Sequence, residues 1–78
     1  MIPLCNLLVG KSGVVTTLLS EGESRRRFLD LGLTPNTIVK AERLSPSGNP
    51  IAFNIRGTII ALRLEEAKKV LVETVDWR

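Results

Sequence analysis

The chain of 78 residues contains no histidine and no tyrosine, and only one cysteine. Without histidine, the Ser–His, Cys–His and imidazole acid–base schemes are excluded. Cys5 alone cannot close an internal disulfide, so nothing points to an oxidising compartment. A transition-metal site draws on His or Cys; no intrachain metal site or cofactor is expected, and carboxylates shared between chains are the route left open. Aromatics are Phe28, Phe53 and Trp77, too few for a base-stacking platform. No apolar run approaches the roughly 20 residues of a membrane span, and the N-terminus lacks the basic region of a signal peptide. Length and patterning predict a single domain over 1–78, soluble and cytoplasmic, with no membrane insertion.

Three features resemble chemistry and fail on inspection. Glu65 and Glu66 are adjacent, and helix neighbours one apart face different directions. They read as solvated first-turn acids. Gly10-Lys11-Ser12 echoes the end of a phosphate-binding loop, but the glycine required upstream would fall at position 5, which is Cys5, and no strand precedes it. Arg25, Arg26 and Arg27 fan around a helix instead of forming a stripe, so they read as a solvated face. With a net charge of +3 the chain tolerates an acidic partner without demanding one, and nucleic acid is not expected. No catalytic residues are assigned, and the chain is expected not to be an enzyme.

What is present is strand patterning. Gly13–Leu19 (GVVTTLL) is rich in β-branched residues and bounded by turn signals. Ser20 with Glu23, or Ser24 alone, suits the cap of a short helix over Arg25–Leu31, with Phe28 and Leu31 on one face and Gly32 as its left-handed stop. Pro35-Asn36 suits a type II turn. A strand over Ile38–Leu44 follows, with Val39 and Ala41 on one face. After the Ser45–Asn49 turn, Ile51, Phe53 and Ile55 alternate with Ala52, Asn54 and Arg56, as a half-buried strand requires. A tight turn at Gly57-Thr58 leads to a strand over Ile59–Arg63 with Ile60 and Leu62 inward. Leu64–Lys68 reads as one helical turn, Val70 and Val72 as a closing strand, and Glu73–Arg78 as a frayed tail. Met1–Lys11 reads as a lead-in, since Pro3 rules out a central strand.

These elements predict a mainly β fold: a five-stranded SH3-like barrel, with one short helix after the first strand and a helical turn before the last. Curling closes off the edges of so small a sheet. The candidate protein-binding residues are Leu33, Thr34, Pro35, Pro46, Pro50 and Ile59, in turns or on the outer face of a strand. A contiguous patch of them would mark an interface. In so small a domain, surplus apolar surface also leaves a homo-oligomer open.

The stretch from Arg25 to Val72 resembles the FeoA family. The resemblance is carried by Arg-Arg-Phe-Leu-Asp-Leu-Gly-Leu-Thr-Pro at 26–35, Ser-Pro-Ser-Gly-Asn-Pro at 45–50, Arg56-Gly57, and Ala61-Leu62-Arg63 followed by Glu65-Glu66-Ala67. Asn36 stands where that family usually has glycine, a mild change because Asn tolerates positive φ. The resemblance implies an SH3-like fold and an accessory role in ferrous iron uptake, through contact with the cytosolic part of a FeoB-type permease. A related domain ends iron-dependent repressors, so a regulatory small barrel binding nucleic acid or another protein is the alternative. No DNA-binding helices precede the barrel, which favours the first.

Overall fold

The computed structural model describes residues 1–75. Among the described residues six strands form one antiparallel sheet: β1 (Ile2–Pro3), β2 (Ser12–Leu18), β3 (Ile38–Leu44), β4 (Ile51–Ile55), β5 (Thr58–Leu62) and β6 (Val70–Val75). Their order is β1-β6-β2-β3-β4-β5. Helix α1 (Gly22–Asp30) joins β2 to β3, and the single turn α2 (Leu64–Ala67) joins β5 to β6. The buried side chains make one cluster, with Leu4, Val15, Leu33, Val39, Phe53, Leu62, Val70 and Val72 fully enclosed. The fold is mainly β, as the patterning predicts, with one strand more.

The extra strand comes from the supposed lead-in. Ile2 and Pro3 pair with Val72 and Leu71, at the sheet edge, where the missing proline N–H breaks no ladder. A 3-10 turn at Leu4–Asn6 follows, and Leu4 and Leu7 enter the core. The supposed tail is also corrected in part. Glu73, Thr74 and Val75 continue β6 and pair with Val14, Gly13 and Ser12 of β2. The remaining three residues, 76–78, lie outside the described residues. Gly13 sits inside β2, and a Cβ there would come within 3.0 Å of Val72 Cγ2 and 3.1 Å of the Glu73 carbonyl. The glycine lets β2 and β6 approach closely.

Helix α1 begins earlier than the capping residues suggested. Glu21 occupies the N-cap with no side-chain hydrogen bond, Ser24 lies within the first turn, and the buried Ser20 hydroxyl has no partner among the described residues. The C-terminus follows the expected glycine stop in full. Gly32 has φ +97°. Its N–H donates to the Leu29 carbonyl at 3.0 Å, and the Leu33 N–H donates to the Phe28 carbonyl at 2.9 Å. This pair of bonds is a Schellman motif, in which the residue after the glycine packs back on the helix. Leu33 and Phe28 accordingly both join the core. The hairpin turn is shifted by one residue. Ile55 pairs with Thr58, and the two turn residues are Arg56 (φ +54°) and Gly57 (φ +87°), as a type I′ turn needs. The Asn54 carboxamide oxygen accepts the Gly57 N–H at 2.9 Å and holds the turn.

Candidate protein-docking face

Strands β3, β4 and β5 turn one face inward and one outward. Ile51, Phe53 and Ile55 of β4 are buried, so Ala52 and Asn54 point away from the core. Register then builds two rows across the outer face. Arg43, Ala52 and Ala61 form one; Lys40, Asn54 and Ile59 form the other. The two alanines leave a shallow floor. Around it stand Arg43, Leu44, Ser45, Pro46 and Pro50, enclosing a groove of roughly 270 Å³. Leu44 and Ile59 are 54% and 51% exposed, high for large apolar side chains in strands.

The groove wall is held in place by its own loop. The Ser45 N–H donates to the Pro50 carbonyl at 3.2 Å and the Gly48 N–H to the Ser45 carbonyl at 2.8 Å. The Ser47 hydroxyl donates to the Asn49 carbonyl at 2.9 Å. Asn49 Oδ1 accepts the Leu64 N–H at 3.1 Å, which ties the loop to the start of α2. The Asn49–Pro50 peptide bond is cis.

The six residues singled out from the sequence do not form one patch. Pro46 and Pro50 line the groove, and Ile59 shares its outward face with Ala61. Thr34 and Pro35 lie at the other end of β3, a seven-residue strand of about 20 Å. There the Thr34 and Thr37 hydroxyls are 2.7 Å apart, and Arg56 Nη2 donates to Thr34 Oγ1 at 3.2 Å and to Thr37 Oγ1 at 3.5 Å. This cluster fastens the β4–β5 hairpin to the turn before β3. Leu33 is a correction: it has no exposed surface and belongs to the core, because the Schellman motif folds it onto Phe28. Sequence reading missed Arg43, Leu44, Ala52 and Ala61. Small residues at the outward positions of two paired strands, beside a proline-bounded loop, were the available signal.

Charge on this side is mostly basic, with Glu42 half-buried at the β3 bulge. Lys40, Arg43, Arg56 and Arg63 are exposed on or beside the three strands. Arg27 instead reaches from α1 to an ion pair with Glu66 of α2. Among the described residues no group of three or more His, Cys, Asp or Glu side chains is placed to hold a metal ion, and Cys5 is a half-buried free thiol against the core. A larger open concavity of roughly 500 Å³ lies between the N-terminal segment and β6, where Lys11 is the one ionisable side chain among the described residues. No described helix is long and apolar enough to cross a membrane.

Sheet topology, core and outer face together define a small antiparallel β domain of the SH3-like kind. Its family is narrower. The FeoA domain model matches residues 2–74, and the chain belongs to that family. A Porphyromonas gingivalis protein that fuses Fe(2+) transport protein A to the Fe(2+) transporter FeoB is 26% identical over 73 residues, a match covering 94% of this chain and 9% of the fusion protein's length. The FeoA protein of Chlorobium tepidum superimposes with a TM-score of 0.89 at 33% identity, over 96% of this chain and 71% of that one. The FeoA of Stenotrophomonas maltophilia, an SH3 domain protein solved with zinc, gives a TM-score of 0.83 at 28% identity, over 94% and 91% of the two chains.

Proposed function

We propose that this chain is a cytoplasmic, non-enzymatic accessory protein of ferrous iron uptake that docks on the cytosolic part of a FeoB-type permease. The observation that carries the reading is the relative in which Fe(2+) transport protein A and FeoB are one polypeptide. Fusion raises the effective concentration of two modules to about the millimolar range, which is useful only if they act on each other. A chain that reaches the same partner by diffusion needs a surface with affinity of its own. The outer face of β3–β5 fits that need: an apolar groove floored by Ala52 and Ala61, with Ile59 exposed beside it, rimmed by Lys40 and Arg43.

The test is calorimetric titration of the folded chain into the purified cytosolic part of the permease. Saturable binding with a Kd of about 1–100 μM is expected. No heat and no binding up to high micromolar concentration, with both partners folded, would overturn the reading.

A further inference from the structure

We propose that β5 is a docking edge, which takes up an extended acidic segment of a partner protein as an additional strand. The inference rests on the binding-module reading and not on the identity of the permease. The sheet has two edges, and the fold treats them differently. The β1 edge is two residues long and contains Pro3, both of which discourage strand addition. The β5 edge is five residues, Thr-Ile-Ile-Ala-Leu. It contains no proline, lysine or other charge, and its pairing with β4 runs without a bulge.

Ladder parity says which backbone groups are free. In a hairpin with a two-residue loop, the residues flanking the loop exchange hydrogen bonds, and the bonded positions then alternate. Thr58, Ile60 and Leu62 therefore bond to β4. The N–H and C=O groups of Ile59 and Ala61 point to the open side, and among the described residues neither has a hydrogen-bond partner. Thr58, Ile59 and Ala61 are all exposed. Main-chain pairing at such an edge supplies affinity, and side chains on alternate positions supply selection.

Charge selects the occupant. Arg63 follows β5 and is exposed, and the strand itself carries no acid; Arg56 at the other end is turned back onto the Thr34 and Thr37 hydroxyls. Of the two acids that follow on α2, Glu66 is engaged by Arg27 and by the Arg63 N–H at 3.1 Å, which leaves Glu65 as the free acid nearest Arg63. A strand with a carboxylate at the end that lies beside Leu62 meets Arg63. A second copy of β5 does not: antiparallel pairing centred on Ile60 sets Ile59 against Ala61 and brings each Arg63 beside the other copy's Arg56-Gly57 turn. Neither strand would then offer Arg63 a carboxylate, between molecules that each carry +3.

Amide exchange and chemical shifts of the ¹⁵N-labelled chain read the edge directly. The probe is a short capped peptide of alternating valine and threonine with a glutamate at each end; its control has lysine at those ends. The glutamate peptide is expected to shift and protect the Ile59 and Ala61 amides, to bind at least about tenfold tighter than the lysine peptide, and to weaken as salt rises. Ile59→Pro removes only an N–H that faces the open side, so it is expected to abolish protection at Ala61 while the melting curve stays cooperative. Arg63→Glu, which leaves the strand untouched, is expected to reverse the peptide preference. No perturbation at Ile59 and Ala61, equal binding of both peptides, or protection that grows with protein concentration in the absence of peptide would each overturn the proposal. None of these readouts involves the permease, so loss of permease binding with retained peptide binding would count against the proposed function alone.

Discussion

Phe53 is fully enclosed at the middle of β4, and its ring has no route to water in the folded state. Phe53→Ala removes that burial and leaves a cavity, a loss of about 3–5 kcal/mol. For a domain this small that is a large part of the total stability. Urea denaturation is expected to show the variant largely unfolded without denaturant; an unchanged midpoint would mean the strand register is wrong. Gly13 gives a sharper test of the β2–β6 approach. Gly13→Ala sets a methyl group against Val72 and the Glu73 carbonyl, at 3.0 and 3.1 Å, inside a paired ladder, so a loss of about 1–3 kcal/mol is expected in the same assay. Asn36 holds φ +74°, where glycine is at ease and a β-branched residue is not. Asn36→Gly should stay within about 1 kcal/mol of the parent, and Asn36→Val should lose about 1–2 kcal/mol. The inward positions of β4 and the Asn36 turn were legible because alternation and turn chemistry are local. Leu33 was misread for a local reason too: Gly32 was recognised as a helix stop, and the packing of the next residue back onto Phe28 comes with that stop.

At the scale of elements, what local pattern could not supply was pairing. β1 looked like a lead-in because Pro3 excludes a central strand, and nothing nearby in the chain shows that β6 offers it an edge. Glu73–Val75 looked like a tail because only Val70 and Val72 are buried in the apolar pattern; the segment is a strand because β2 lies beside it. Arg56 looked like the end of an alternating strand, and the turn it occupies is set by the Ile55–Thr58 pairing. The β3–β4 loop is the element most directly joined to the docking face. Asn49 anchors it by accepting the Leu64 N–H, in the manner of a helix cap supplied from a distance. Asn49→Ala should lower stability by about 1 kcal/mol, by analogy with the loss of a cap. A thermal melt checks the loss, and ¹⁵N relaxation should show Ser45–Pro50 more mobile. Unchanged loop dynamics would mean that the Asn49 contact does not hold the groove wall.

For the whole molecule, fold class and family were legible in the chain, and the place of action was not. The motifs from Arg25 to Val72 are local strings, and they led to the family that the full-length comparison supports. The docking face is made by register: Arg43, Ala52 and Ala61 are neighbours only because three strands align, and no one of them stands out in the sequence. The two proline turns, similar in composition, were separated by the length of β3. The face, and not the turns as such, therefore carries the central claim. Shift mapping of the ¹⁵N-labelled chain with the unlabelled cytosolic part of a FeoB-type permease tests it most directly, with Ala61→Glu as the paired variant. Perturbations are expected to concentrate at Arg43, Ala52, Ile59 and Ala61 and to be largely lost in Ala61→Glu, while Thr17 and Leu71 on the far side stay unmoved. Perturbations centred on Thr17 and Leu71, or a spectrum unchanged at saturating partner, would contradict it.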